Sequence, residues 1–258
     1  MGTLVGRSIL EQRDMELAGG VEIPDHESVG RRLCEVWGQG SAEMRVAPGL
    51  DDFDSPDFDV IVDFSAPAQA VRCAETASSL GKGLVIGTTG LTDFQMAVVQ
   101  KASASCPVVV APNTSVAMNV LLGLVHRAAS VLGDGYDVEI VETHHRNKKD
   151  APSGTAEKIL RIVSEERRVD PASAARHGRR GESTGRELGE IGVHSLRAGA
   201  VVGRHDVSFV SDMEELKLSH EAFTRDTFAA GAVRAVRFVD GREPGLYDML
   251  DVLELREG

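Results

Sequence analysis

Two adjacent histidines, two adjacent lysines and a Ser-Gly-Thr turn fall within Glu142-Thr-His-His-Arg-Asn-Lys-Lys-Asp-Ala-Pro-Ser-Gly-Thr155. Histidine exchanges protons near neutral pH. Lysine donates a proton or holds a carboxylate. A helix that starts after Pro152-Ser153-Gly154 offers unsatisfied backbone N–H groups to an anion. These are the parts of a site for a small acidic substrate. Each part alone has an ordinary reading: a lone histidine is usually structural, and a lysine pair is usually solvated. The combination is what points to chemistry. His144 and His145 alternate across a strand, so their side chains start on opposite faces. That argues against a shared metal ion, and no HExxH-type spacing supports one. No metal site is expected.

The elements around this stretch must position it. Asp137 to His144 reads as a strand ending in the motif, and Thr155 to Arg168 reads as the helix that leaves it, with Ile159, Ile162 and Val163 on one face. Upstream, apolar strands alternate with helices. Leu17 to Glu22 reads as a short buried strand, and Thr3 to Gln12 as the helix before it. Val60 to Phe64, Leu84 to Gly87 and Val108 to Ala111 read as further strands. Ala68 to Leu80 and Thr92 to Ser105 read as the helices between them, with Gly81 stopping the first and Thr92 capping the second. Short apolar strands separated by helices predict a doubly wound parallel sheet, an α/β fold of Rossmann type.

Ser115 to Leu132 predicts a long helix. Past the motif, Asp170 to Glu187 is polar and rich in Arg and Gly and reads as a mobile surface loop. Gly189 to Leu196, His205 to Val210 and Leu216 to Glu221 read as strands of a mostly antiparallel sheet, and the unit as a whole reads as an α+β domain built on an open mixed sheet. Asp226 to Val239 is the last helix. The change of type predicts two domains: residues 1–114 with 225–258 for a dinucleotide, and 115–224 for substrate binding and oligomerisation.

The 258 residues carry a formal net charge of −12 and are 42% hydrophobic. An acidic chain argues against nucleic acid or an anionic membrane as partner. It must also concentrate positive charge locally to hold an acidic ligand, as the His-His-Arg-x-Lys-Lys run does. Cys34, Cys73 and Cys106 form no zinc or CxxC spacing and read as free thiols of a reducing compartment. No apolar run looks long enough for a membrane helix, and no signal peptide is visible, so a cytoplasmic protein is expected.

Gly87-Thr-Thr-Gly90 and Ala111-Pro-Asn-Thr114 sit at the carboxyl ends of predicted strands, where open α/β sheets bind ligands. Taken singly, each is ordinary turn chemistry. Glu22 ends the first strand, where an acidic residue suits a ribose hydroxyl pair. Ile23 follows it, and no basic residue stands there to hold a 2′-phosphate.

Residues 142–156 closely resemble the signature of the bacterial dihydrodipicolinate reductase family, also called 4-hydroxy-tetrahydrodipicolinate reductases. The resemblance extends through Val-Ile-Gly-Thr-Thr-Gly (85–90), Ala-Pro-Asn-Thr-Ser-Val (111–116), Gly-Glu-Ile-Gly-Val-His (189–194) and Gly-Leu-Tyr-Asp-Met (245–249), and so covers nearly the whole chain. It implies NAD(P)H-dependent reduction of a cyclic dicarboxylate, with loss of water, in lysine and diaminopimelate biosynthesis. It implies His144 as proton donor and acceptor and Lys148 as proton donor. His145, Gly154 and Thr155 would bind substrate carboxylate. Glu22, Gly87, Thr88, Thr89, Ala111, Pro112, Asn113 and Thr114 would line the cofactor. The family's residue after the acidic ribose ligand is often Arg, so Ile23 leans toward NADH over NADPH. The family is typically a cytoplasmic homotetramer built through the sheet of its second domain.

One departure lies at the start. The family opens with a strand and a Gly-x-x-Gly-Arg-Met-Gly loop that cradles the pyrophosphate. Met1-Gly2 resemble the last two residues of that loop. We expect codons upstream of Met1 to encode the rest. The alternative this departure motivates is a non-catalytic dicarboxylate-binding relative with impaired dinucleotide binding. A third reading, a metal-dependent hydrolase on His144, His145 and Asp150, is disfavoured by the strand geometry.

Overall fold

The computed structural model describes residues 1–38, 43–54, 57–182 and 185–256. The chain folds as two compact units, Met1–Ser115 with Asp226–Gly258, and Val116–Arg225.

In the first unit, α1 (Gly2–Leu10) leads to β1 (Gly20–Val21), α2 (Leu33–Trp37) and β2 (Val46–Ala47). β3 (Val60–Asp63), α3 (Pro67–Leu80), β4 (Gly83–Ile86), α4 (Asp93–Ala102) and β5 (Pro107–Val110) follow. β3 and β5 pair in parallel with β4 on either side. Alternation along β4 sorts its side chains between two helical layers. Leu84 and Ile86 meet Ala70, Ala74 and Ala77 of α3 and Val99 of α4. Val85 meets Ala235 and Val239 on the other face. The sheet is therefore parallel and covered on both sides, which is the Rossmann-like layering. Pro67 opens α3, and Gly81 closes it in the left-handed conformation at φ 65°. Thr92 caps α4, its side chain accepting the Gln95 N–H.

The predicted strand over Leu17 to Glu22 shrinks to Gly20–Val21. It pairs with β2 in a separate two-stranded sheet. Glycines explain the loss of buried strand character. A Cβ at Gly19 would lie 2.6 Å from the Phe53 ring, and one at Gly20 would lie 2.9 Å from Leu33. The backbone is there to be packed against, and it contributes no apolar side chain of its own.

In the second unit, α5 (Val116–Leu132) precedes β6 (Asp137–His144), α6 (Gly154–Arg167), α7 (Pro171–Ala174), β7 (Ala175–Arg176), β8 (Ile191–Arg197), β9 (Gly203–Val210) and β10 (Glu215–Ala222). The five strands run in the order β10-β9-β6-β8-β7. The sheet is open and mixed, as expected, though it is not mostly antiparallel. β6–β8 and β7–β8 are parallel, and β6–β9 and β9–β10 are antiparallel. Helix α6 is long enough to cross over between β6 and β8 and so makes them parallel. Core side chains come from Val138, Ile140, Ile191, Val193, Val207 and Phe209 of the sheet, against Leu121, Leu122 and Val125 of α5 and Ile159, Leu160 and Val163 of α6.

Two further expectations change. Part of the segment read as a mobile loop, Asp170 to Glu187, is ordered, although residues 183–184 lie outside the described set. It forms α7, capped by Asp170, and β7. Two of its arginines are tied down: Arg186 to Asp137 and Glu139, and Arg179 to Glu190. Charge that reads as solvated in sequence is spent on ion pairs with the neighbouring strands. Val116–Gly135 is also long and apolar enough to cross a membrane by length and composition, contrary to the sequence reading. Its inner residues pack into the core of the second unit, and a core helix passes the same test.

The chain returns to the first unit with α8 (Asp226–Val239), β11 (Gly245–Tyr247), which extends the parallel sheet beside β5, and α9 (Met249–Val252). Helix α8 passes close to the Thr114 turn. A Cβ at Gly231 would lie 1.7 Å from the Thr114 carbonyl oxygen, a backbone atom with little room to yield. Gly231→Ala is expected to cost about 1–3 kcal/mol by overpacking. Chemical denaturation checks it, and wild-type stability would contradict this packing.

Candidate active site

The site grows from the carboxyl end of β6. Alternation puts Val138, Ile140 and position 142 on the core face. Position 142 is a glutamate, fully buried. Register explains how it is tolerated. Glu142 lies across from Ser195 on β8 and from His205 on β9, while His144 lies across from Arg197. The Arg197 guanidinium forks onto both carboxylate oxygens at 3.0 Å each. Ser195 also hydrogen-bonds to Glu142. The Ser153 N–H donates to Oε1 at 3.2 Å. Burial pushes the Glu142 carboxyl up, but the bonds from Arg197, Ser195 and His144 outweigh it and hold it below the ordinary range. The carboxylate is ionised and can only accept. The His144 Nδ1, 2.5 Å from Oε2, therefore carries the proton and donates it. This fixes Nε2 of the neutral ring as the nitrogen free to exchange protons. Gly203 lies on that side, where a Cβ would stand 3.1 Å from Nε2.

Burial lowers the His144 pKa, Glu142 opposes this, and Lys148 and Arg197 add to the lowering. His205 stands edge-on to His144, with ring centroids 5.3 Å apart. Burial first, then the charge of His144, pushes His205 down to about 3, against a smaller upward pull from Glu142. It is neutral at working pH, and its Nε2 lies 3.2 Å from the Ser153 hydroxyl. Ser153 also caps α6, its Oγ accepting the Ala156 N–H. Gly154 begins that helix, and the space where its Cβ would project is open. Lys148 pairs with Asp150 at 2.8 Å. β6 ends at His144, so His145 lies just past the strand and the expected alternation of the two histidines across a strand does not hold. With Arg146, Asn147, Gly199, Ala200, Val202 and Arg225, His145 lines a cleft of about 750 Å³. Thus one strand end gathers His144, His145, Lys148 and the Ser153-Gly154-Thr155 turn. Glu142, Arg197 and His205 support them, and the sequence reading gave these three no role. The available signal is a carboxylate on the core face of a strand, third in the alternating row Val138, Ile140, Glu142.

The other predicted residues lie in the first unit. Ile86 and Val110 pair, so Gly87-Thr88-Thr89 and Ala111-Pro112-Asn113-Thr114 leave adjacent strand ends together. The Gly87 backbone is roofed by Phe64, whose ring would lie 2.1 Å from an added Cβ. Thr88 is buried. Its hydroxyl donates to Asp63 at 2.6 Å and accepts the Ser65 N–H. The Thr114 hydroxyl donates to the Phe228 carbonyl at 2.6 Å. Both hydroxyls serve the turns, so a ligand there meets backbone. Thr89 and Gly90 are exposed. Glu22 follows β1 in the other sheet and is exposed, its Oε1 accepting the Ile23 N–H at 3.0 Å.

Family profiles match both parts of the chain: dihydrodipicolinate reductase, N-terminus, over residues 1–114, and dihydrodipicolinate reductase, C-terminus, over residues 117–253. This chain belongs to the dihydrodipicolinate reductase family. The 4-hydroxy-tetrahydrodipicolinate reductase of Rubrobacter xylanophilus is 46% identical over 253 residues, 98% of this chain and 94% of that protein. The reductase of the same name from Myxococcus xanthus is 41% identical over 256 residues, covering 98% and 93%. Among solved structures, dipicolinate-bound dihydrodipicolinate reductase from Paenisporosarcina sp. TG-14 superposes with TM-score 0.74 at 25% identity, over 97% of this chain and 94% of that one. Amine dehydrogenase from Mycobacterium smegmatis shares the fold at TM-score 0.60 and 12% identity, covering 95% and 91%. As a member of the dihydrodipicolinate reductase family, the chain is an oxidoreductase that uses NAD(P)H. Its residues fit such a cofactor. The exposed carboxylate of Glu22 suits a ribose diol, and the exposed Thr89-Gly90 turn beyond β4 suits a ligand at close range.

Proposed function

We propose that the chain reduces 4-hydroxy-tetrahydrodipicolinate to tetrahydrodipicolinate in the route to lysine and diaminopimelate. One hydride and one proton enter the substrate and one water leaves. The observation that carries the reading is the full-length likeness to reductases of that name. The clustering of His144, Lys148 and the α6 N-terminus supports it. NAD(P)H supplies the hydride when bound, and Glu22, Gly87, Thr88, Thr89 and Ala111 to Thr114 would hold it. Thr88 and Thr114 serve through their backbones, since their hydroxyls are engaged. His145 and the Gly154-Thr155 backbone hold a substrate carboxylate. Lys148 gives a proton to the reduced ring, and His144 exchanges one at Nε2. The assay is consumption of NADH and NADPH with the cyclic dicarboxylate supplied enzymatically. Substrate-dependent oxidation is expected, and none with either cofactor would overturn the proposal.

Glu22 followed by Ile23 favours NADH. Ile23→Arg would add a charge-assisted bond to a 2′-phosphate and shift the kcat/KM ratio toward NADPH by about tenfold. An unchanged ratio would remove position 23 from cofactor choice. We further assign the chain to the cytoplasm as a homotetramer, built through the sheet of the second unit. Leu196 and Leu216, exposed on that sheet, support this assembly.

A further inference from the structure

We infer that Glu142 is the positioning residue shared by both halves of the substrate site: it orients the His144 ring in one tautomer and pins Ser153 ahead of the Gly154-Thr155 turn. The inference rests on the function proposed above. It begins from a misfit. Val138 and Ile140 precede Glu142 on the core face of β6, and a third apolar side chain would complete the row. Burying a carboxylate is costly, and an apolar replacement of a buried ion pair is often neutral or stabilising. Stability alone therefore does not account for the charge. Its hydrogen bonds do. One oxygen takes His144 Nδ1, the other takes the Ser153 backbone N–H, and Arg197 clamps both. The same rigid group thus touches the proton-exchanging ring and the cap of the anion-binding helix. Ser195 and His205 flank it in register on the neighbouring strands, and Ser195 hydrogen-bonds to it. Only an acceptor with several lone pairs meets all these donors at once.

Glu142→Gln tests this. Glutamine keeps the shape, but half of its head becomes a donor. An amide N–H turned to His144 requires a lone pair on Nδ1 and moves the proton to Nε2. Turned the other way, it faces the Ser153 N–H. Nitrogen-15 NMR of the full chain, with the His144 signal assigned by its loss in His144→Gln, reads the tautomer directly. The wild type is expected to hold the proton on Nδ1. In Glu142→Gln we expect the Nε2–H form, kcat lower by about 100-fold and KM for the dicarboxylate higher by about tenfold. The calorimetric Kd for NADH stays at the wild-type value. A group that merely supports the fold would change the folded fraction and leave the tautomer and the per-molecule kcat alone, and that result overturns the inference. So does an Nε2–H tautomer in the wild type, a measurement that holds even if the variant fails to fold. Full turnover in both His144→Gln and Lys148→Ala would instead overturn the site reading beneath it.

Discussion

Lys148→Ala is expected to lower kcat about a thousandfold while leaving stability unchanged, because positioned proton donors contribute roughly 10²–10⁴-fold. The Lys148 charge is felt at His144, where it adds to the lowering of the ring's pKa. The lysine's ion pair is with Asp150, a residue whose own side chain is 62% exposed. The Lys148 side chain is 21% exposed, and a pair with one partner in solvent is worth only about 1 kcal/mol. The loss should therefore appear in turnover and hardly in the melting curve. A second readout follows from the same pair. The Lys148 bond, against the opposing pull of burial, holds the Asp150 carboxyl below its usual range, so the variant should let it rise. Wild-type turnover with an unaltered melt would take Lys148 out of the chemistry.

The second large effect is loss of stability on mild acidification, through His205. Burial holds this ring neutral down to about pH 3, against an ordinary value of 6.5. The unfolded chain accepts a proton near 6.5 that the folded chain refuses. Above 6.5 neither state is charged there and stability is full. As pH falls through the interval from 6.5 to about 3, stability declines by up to about 1.4 kcal/mol per pH unit for this one group. His144 and His220, also lowered chiefly by burial, act in the same direction. The glutamates do not confuse the upper part of this window. Glu139 and Glu142 lie below 4.5 in the fold and near it when unfolded, so they titrate later. Urea denaturation at intervals from pH 7 to 5 should show the slope, and His205→Asn should flatten it by about one proton. Equal slopes in the two proteins would contradict a neutral, buried His205.

Both effects trace to groups of unequal visibility in the sequence. The chemistry-bearing stretch is contiguous, so His144, His145, Lys148 and Gly154 could be read together, and β6 and α8 fall where periodicity places them. The support could not be read that way. Arg197 and His205 reach Glu142 only through pairing of β6 with β8 and β9, and strand register is a long-range property. Glu142 itself was legible as an anomaly on an apolar face. The short β1 is hidden in the sequence because Val21 suggests a buried strand, while Gly19 and Gly20 give their space to Phe53 and Leu33. The order after Asp170 is hidden for another reason: an arginine-rich run looks solvated until its acidic partners, Glu139 and Glu190, are placed beside it.

The fate of the transferred hydrogen tests the reductase chemistry most directly. With NADH deuterated at C4 on the transferred face, the enzyme should convert 4-hydroxy-tetrahydrodipicolinate into tetrahydrodipicolinate carrying a single deuteron at a ring carbon, with the hydroxyl lost as water. Mass spectrometry of the trapped product reads both changes. A dehydrated product without deuterium, or unreacted substrate in the presence of either reduced cofactor, would contradict it.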